Sequence, residues 1–495
     1  MAVEQQEKIR IVLNASLPEN LSFNSNIKNT ELEKVYMSSA RKFGYSVIRA
    51  GKGAMMSKFD LCDAYKNIRC KKEDFRLQGF FWLGKFFFEN RLIFGVVSSV
   101  CNYDIFGNTV ECLAISDSSI PSDFVHRQLD DVPVVGPANK DWCSSFSFAY
   151  KNLCDEIGVK LAPDCEKFEK AFTNSKFGKV LGIFFDSENL KWSLPSEKKD
   201  KCLRAISLCY NSDSVNLVSM QKLVGRLNDI SIMCPFLSAF KRSILDDMCR
   251  FVDENIVSIS LSSQSKKDLL IWVGMLTDPD CWLPIPHEPC APTIFHKEFF
   301  SDAAGCALND KVSSGPGAAC IGFDEDGCFC FAKRISWDRD MISLGVDNAG
   351  VRLGDKSTFL EFIGVLLPFL LIPNLLKNQH LVFHVDNLNC IFGWDSKSLK
   401  GDKLASIVIR AILLISTFLE CFVHFRHVPR VSNWESKMAD RMSREKSLRT
   451  VDLKLLHSFK NLGSVSVLSN WLVAPSEDWN FPFRLLAYVK SKCTV

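Results

Sequence analysis

Two adjacent carboxylates, Asp130 and Asp131, sit in an apolar setting, with Val125 before them and the run 132–135 after, closed by Gly136-Pro137. The pattern predicts two short strands over 124–135 joined by a tight turn with both acids at its tip. Neighbouring acids repel, so holding them together against apolar neighbours makes sense when a cation neutralises them. A third acid, Asp60, ends the strand-like run 56–60 and leads into Ala64-Tyr65. Three carboxylates from two elements are the ligand set with which paired divalent ions clamp a phosphoryl transfer.

The 495 residues suffice for roughly three domains at about 150 residues each. Hydrophobic residues at 47% and charged residues at 24% exclude a disordered or collagen-like chain. A net charge of +3 is too small to imply a polyanionic partner through a global field, so any nucleic acid must meet local basic surface. Twenty cysteines include no Cys-x-x-Cys pair, and the first eight residues lack the apolar core of a signal peptide. A reducing, intracellular setting (cytoplasmic or nuclear, not secreted) is expected. Cys421, His424 and His427 do not share one strand face, which disfavours zinc. The apolar runs 359–376 and 405–425 contain Glu361, Pro368, Pro373, Arg410 and Glu420, and are expected to be buried helices rather than membrane spans.

Along the chain, strands are expected at 9–13 and 56–60, and a helix at 31–43. The run Phe80-Phe81-Trp82-Leu83-Gly84-Lys85-Phe86-Phe87-Phe88 predicts an aromatic hairpin turning at Gly84-Lys85. Helices follow at 103–114 and 146–157, and a second hairpin at 181–192. Residues 196–255 read as helical, with 217–230 clearly amphipathic. Pro279, Pro284, Pro286, Pro289 and Pro292 mark a domain boundary. Beyond it come strands at 293–301, 318–323, 328–332, 381–385 and 421–427, with helices around Glu361 and over 404–419.

This last module has its own acids. Asp302 and Asp386 end strands, Glu361 lies early on an apolar helix, and Asp440 stands in Met-Ala-Asp-Arg-Met-Ser-Arg. Acids at strand ends converge at one edge of a mixed sheet, where the sites of such sheets collect. Singly, Asp302 and Asp440 suit helix N-caps and Asp386-Asn387 a plain turn. Glu361 among Phe359, Leu360, Phe362 and Ile363 is costly without a partner.

With both clusters in view, residues 9–444 resemble the reverse transcriptase–ribonuclease H region of retrotransposon polyproteins, most closely the DIRS-like, tyrosine-recombinase-associated group. Arg10-Ile11-Val12 resembles the fingers motif that contacts the incoming triphosphate. KFDLCDAYK (58–66) resembles the first palm motif, with Asp60 as metal ligand and Tyr65 as the gate against a ribose 2′-hydroxyl. Leu92-Ile93-Phe94-Gly95 is similar to the segment beside the nucleotide pocket, and Gln128-Leu129-Asp130-Asp131 to the YxDD turn. Leu223 to Asn228 is similar to the LxGxLN helix after the palm. Asp302, Glu361, Asp386 and Asp440 fall on the ribonuclease H acids, and 427–429 with 439–444 on that module's tail.

The resemblance implies an α+β and α/β fold: a right-hand polymerase of palm, fingers and thumb, followed by a ribonuclease H-like mixed-sheet domain. Its boundaries are expected at 1–195 (truncated fingers and palm), 196–290 (thumb and connection helices), 291–450 (ribonuclease H-like) and 451–495 (C-terminal extension). It implies RNA-directed DNA polymerase and ribonuclease H activities, with two Mg²⁺ or Mn²⁺ ions at each site. Asp60, Asp130 and Asp131 would hold one pair, and Asp302, Glu361, Asp386 and Asp440 the other. Arg10, Tyr65, Phe94 and Gly95 would bind the nucleotide. Partners would be an RNA template, a DNA primer, an RNA–DNA hybrid and deoxynucleoside triphosphates, with no membrane. Lys66, Arg69, Lys71, Lys72 and Arg76 offer a basic patch for phosphates. Gln128 replaces the family's tyrosine, Ile93 a proline and Cys165 a lysine, while Pro133 signals an edge strand. These departures underlie a second reading, a catalytically impaired or co-opted nucleic-acid-binding remnant.

Overall fold

A computed structural model describes residues 2–5, 8–11, 14–27, 34–163, 171–278, 282–286, 295–305, 317–336, 356–429, 432–444 and 480–493. The fold is mixed α/β, and the chain forms two compact units. One comprises Met1–Ser196 with Cys281–His287, the other Glu197–Asp280 with Glu288–Val495.

In the first unit, β1 (Ala2–Gln5) and β2 (Lys8–Ile11) form an antiparallel pair. Helix α1 spans Ala40–Ala50 rather than 31–43. Its start is set by Ser39, whose side chain accepts the Lys42 N–H, and its core face runs on through Phe43 and Val47. Residues 34–39 have no regular structure, and 31–33 lie outside the described residues. Strand β3 (Met55–Asp60) is followed by a short 3-10 turn, Ala64–Asn67.

Strands β4 (Gly79–Trp82) and β5 (Lys85–Phe88) make the aromatic hairpin, with Leu83 and Gly84 both at positive φ in the turn. After α2 (Val97–Ser118) comes β6 (Asp131–Gly136), then α3 (Trp142–Glu156) and β7 (Phe172–Ser175). The three-stranded sheet has the order β6-β3-β7, all antiparallel, so β6 lies at its edge, as Pro133 requires. The expected strand before the acidic turn is reduced to isolated bridges, Val125 to Val134 and Gln128 to Asp131. Pro133 has no N–H to donate, so a continuous ladder cannot form, and its carbonyl accepts the His126 N–H instead.

Phe59, Val132 and Val134 pack with Val110 and Ala114 of α2 and Phe146 and Tyr150 of α3. A second sheet joins β8 (Phe177–Val180), β9 (Ile183–Asp186), β10 (Lys191–Ser193) and β13 (Trp282–Pro284). The proline-rich stretch thus supplies a strand, with Pro284 opposite Lys191. Pro279, Pro289 and Pro292 lie outside the described residues.

The second unit begins with helices α4 (Ser196–Tyr210), α5 (Leu217–Ser231), α6 (Arg242–Asp253) and α7 (Ser263–Thr277), with the small pair β11 (Val215–Asn216) and β12 (Ser258–Ile259). Its main sheet contains β14 (Lys297–Ala303), β15 (Gly317–Asp324), β16 (Phe329–Ser336), β17 (His380–Val385) and β18 (Phe422–His427). The order is β16-β15-β14-β17-β18, antiparallel through β14 and parallel from β14 to β18. Strand β17 is buried along its whole length, as expected for a parallel strand covered on both faces.

Helix α8 (Ser357–Leu371) packs on β14 and β15, where Phe369 and Phe299 stack on Phe383. Helices α9 (Leu388–Ser396) and α10 (Lys403–Phe418) follow β17. Helix α11 (Trp434–Arg444) presses Met438, Ala439 and Met442 onto Phe300, Ala319 and Ile321, and α12 (Phe481–Cys493) packs on α10. The apolar runs flagged for a membrane check are α8 and α10, both buried. Among the described residues no helix is long and apolar enough to cross a membrane.

Arg410, the charge inside α10, forms a fully buried bidentate pair with Asp268 of α7, both contacts 3.0 Å. Ser243 and Gln264 donate to the same carboxylate at 2.6 and 2.8 Å, and the guanidinium lies 4.7 Å from the Phe240 ring. A charge pair out of water persists only when each charge is met by close, hydrogen-bonded partners.

Candidate functional site

In the first unit, strand alternation sends Phe59 into the helical core and leaves Lys58 and Asp60 on the opposite face. Antiparallel register sets Asp60 directly opposite Asp131, with Pro133 opposite Lys58. Two reciprocal backbone hydrogen bonds, Gln128 N–H to Asp131 O at 2.9 Å and Asp131 N–H to Gln128 O at 3.2 Å, close a tight turn on Leu129-Asp130. Leu129 holds φ at +57°, a left-handed backbone that glycine adopts more readily, so this turn carries local strain. The Asp60 carbonyl accepts the Ala162 N–H and the Asp130 carbonyl the Leu61 N–H, pinning both acids' backbones.

The backbones of Asp60, Asp130 and Asp131 are neighbours, but their carboxylates do not gather as tightly as those of the second unit described below. A physical reason is visible: the ammonium of Lys58, itself buried, lies 3.0 Å from Asp131 Oδ1, on the diagonal across the ladder. Lys58 belongs to the quoted motif, but its role escaped sequence reasoning. The signal was there, since a lysine two residues before Asp60 on one strand must share its face.

Tyr65 is buried and meets Phe94 edge-on at 4.8 Å between ring centres and Tyr103 at 5.4 Å. Burial, and then the charge of Asp130, push its phenol above the ordinary 10. Tyr65, Phe94 and Asp130 therefore share one neighbourhood. Gly95, at φ +93°, turns the chain into α2, where Asn24 accepts the Val97 N–H and donates to the Gly95 carbonyl at 2.8 Å. Arg10 lies on β2 opposite Val3, and its side chain is outside the described residues, as is Cys165.

Arg127, three residues before Asp130, is buried and bound by Glu111 at 3.0 Å and by Asp104 and Asn108, all on α2. Gly107 lets it cross, because a Cβ there would stand 2.7 Å from its guanidinium. His126 is buried between Ser38 and Ser46 at 2.8 and 2.9 Å. Burial, and then Arg49 and Lys42, pull its pKa down to about 4, so it is neutral at pH 7. Neither residue stood out in the sequence.

In the second unit, Asp302 near the end of β14, Glu361 on the second turn of α8 and Asp386 just after β17 offer carboxylate oxygens all within 4.8 Å of one another. Among the described residues this is the one group of three or more His, Cys, Asp or Glu ligands so gathered. Parallel pairing of β14 with β17 brings Asp302 and Asp386 to the same sheet edge. Gly364 eases the approach of α8 to β14: a Cβ there would stand 2.3 Å from Ser301 Oγ, which would have to turn aside.

Asp302 and Glu361 are buried. Three mutually repelling carboxylates, two of them removed from water, are a hard-oxygen donor set that fits Mg²⁺ or Mn²⁺. The local field is negative: burial, with Glu361 and Asp386 close by, holds the Cys390 thiol well above its usual range.

Asp440 is not among the carboxylates gathered within 4.8 Å. Its carboxylate pairs with Arg444 Nε at 2.7 Å along α11. Ser443 links the two, bonding the Asp302 carboxylate and, at 2.7 Å, the Asp440 carbonyl. His427 Nε2 lies 3.2 Å from the Asp386 carbonyl oxygen, and His384 pairs with Glu298 while stacking on Phe300. A small cavity opens among Asp302, His384, Asp386, Val428 and Ser436.

No family model and no curated protein matches the chain. Among solved structures, a foamy viral protease–reverse transcriptase dRH in complex with double-stranded DNA is similar over 87% of this chain, at 13% identity and a TM-score of 0.45. The chain spans 65% of that protein's length. A foamy viral protease–reverse transcriptase with double-stranded DNA is similar at 14% identity over 87% of this chain and 77% of that one, TM-score 0.44. One with an RNA/DNA hybrid is similar at 13% identity over 89% and 72%, TM-score 0.37.

Proposed function

We propose that this chain is the reverse transcriptase–ribonuclease H region of a retrotransposon of the DIRS-like group, an RNA-directed DNA polymerase that also cuts the RNA strand of an RNA–DNA hybrid. The observation that carries the reading is the convergence of Asp302, Glu361 and Asp386 from three separate elements at one sheet edge. The facing of Asp60 and Asp131 at the acidic turn supports it independently in the other unit.

Asp302, Glu361 and Asp386 would hold divalent cations in the hydrolase, with Asp440 beside them; Asp60, Asp130 and Asp131 would hold them in the polymerase. When bound, such ions acidify the attacking hydroxyl or water and neutralise phosphate charge. The chain's own contribution is positioning. Tyr65, wedged between Phe94 and Tyr103, presents a rigid aromatic wall beside Asp130 that would exclude a 2′-hydroxyl from the incoming nucleotide. Arg127 fixes the approach to the turn through α2.

Primer extension on an RNA template with Mg²⁺ or Mn²⁺ tests the first activity, and cleavage of labelled hybrid the second. Wild type is expected to perform both, an Asp130→Asn, Asp131→Asn variant to lose extension alone, and Asp386→Asn to lose cleavage alone. One observation favours the impaired, nucleic-acid-binding alternative: the buried Lys58 ammonium already neutralises Asp131. Identical behaviour of wild type and variants would establish that alternative.

A further inference from the structure

We propose that the β4–β5 hairpin is a stacking platform for the unpaired bases of a single-stranded nucleic acid, a role that rests on the nucleic-acid reading above and extends it to residues outside both acidic clusters. Apolar rings are ordinarily withdrawn from water, yet here Phe81 and Trp82 are each 61% exposed, Phe86 76% and Phe88 57%. Register places Phe80, Trp82, Lys85 and Phe87 on one face of the ribbon and Phe81, Phe86 and Phe88 on the other. The rings are already paired across the strands: Phe80 stacks on Phe87 at 5.6 Å and 19°, and Phe81 meets Phe86 at 5.0 Å. They form preset aromatic rows rather than loose side chains.

Charge chooses the occupant. Arg69, Lys71, Lys72, Arg76 and Lys85 stand against Glu73 and Asp74, so residues 69–88 carry a net +3, the formal net charge of the entire 495-residue chain. All five basic residues are exposed. Lys71 precedes and Lys72 and Arg76 lie on the 3-10 segment Lys72–Gln78 that packs on β5, while Lys85 stands directly across the ladder from Trp82. Aromatic faces for bases beside cations for phosphates are the two parts of a sequence-tolerant single-strand site. A membrane-inserting tip would have to carry Lys85 into the acyl layer, and a second copy would bring like charge against like.

The test uses the full chain and a labelled 20-nucleotide oligo-dT, beside a blunt duplex of equal length, followed by fluorescence anisotropy across a salt series. Phe81→Ser, Trp82→Ser, Phe86→Ser changes only exposed rings, and circular dichroism checks that its fold is retained. The triple variant is expected to lose about tenfold or more in single-strand affinity with duplex affinity nearly unchanged. Lys71→Gln, Lys72→Gln is expected to flatten the salt dependence, by roughly 0.7 in slope per lost phosphate contact.

Undiminished single-strand binding by the triple variant would overturn the platform, as would a loss confined to phosphatidylserine vesicles or to self-association in sedimentation. If wild type binds neither strand form, the nucleic-acid reading itself fails. If wild type binds and the triple variant binds equally, the platform alone fails.

Discussion

At the scale of single residues, the energetics turn on charges held away from water. Asp302, Glu361 and Asp386 repel one another, so without metal their cluster is a local cost to folding. Glu361→Gln removes one charge and keeps the shape. It is expected to raise the melting temperature in EDTA by about one to two degrees, about 1 kcal/mol, while abolishing the upward shift expected of wild type with Mg²⁺. Thermal unfolding with and without Mg²⁺ reads both effects, and a lower melting temperature in EDTA would count against the cluster being strained.

His126 makes a second prediction. Its pKa falls from the ordinary 6.5 in the unfolded chain to about 4 in the fold, so the unfolded chain takes up the extra proton. Its contribution is fully present above pH 6.5 and is lost as pH drops towards 4, to the order of 3 kcal/mol. His126→Gln is expected to flatten the decline of stability over that window in thermal melts at stepped pH. These residues differ in how readable they were. The acids were legible because carboxylates in apolar runs demand a partner. Arg127 and His126 were not, because each is satisfied by groups distant in sequence that no local pattern reveals; Lys58 could be placed on the Asp60 face, but its pairing with Asp131 lies across the ladder.

At the scale of elements, close approach decides the second site. Helix α8 lies close to β14 at Gly364, one turn after Glu361, where a side chain would crowd the Ser301 hydroxyl. Gly364→Ala is expected to force helix and strand apart, costing roughly 1–3 kcal/mol as overpacking does, and to weaken Mg²⁺ binding together with hybrid cleavage. Unchanged stability and cleavage would show that the packing has slack.

Strands and helices with clean periodicity were legible: β3, the aromatic hairpin, α3, α5, β17 and α10 lie where their patterns predict. Two were not. The helix expected at 31–43 begins instead at the Ser39 cap, where cap chemistry outweighs a loose apolar period. The strand before the acidic turn is broken into bridges because Pro133 supplies no donor. A third detail, the strand Trp282–Pro284, hid inside a proline-rich boundary because an edge strand tolerates proline where a central one does not.

At the scale of the whole molecule, the order of the motifs along the chain carries more than any one of them, since most of the acids taken alone suit a turn or a cap. Folding turns that order into geometry: Asp60 meets Asp131 across a ladder, and Asp302, Glu361 and Asp386 meet at a sheet edge. Asp440 pairs with Arg444 one turn later on its own helix, and Ser443 joins its carbonyl to the Asp302 carboxylate.

The central claim is that the clustered acids hold divalent cations. Titration of the full chain with Mn²⁺, followed by the electron paramagnetic resonance of the free ion, compares wild type with Asp302→Asn, Asp386→Asn. The account predicts that wild type takes up more ions per chain and that the difference vanishes when excess Mg²⁺ competes. Equal uptake by the two proteins would contradict it.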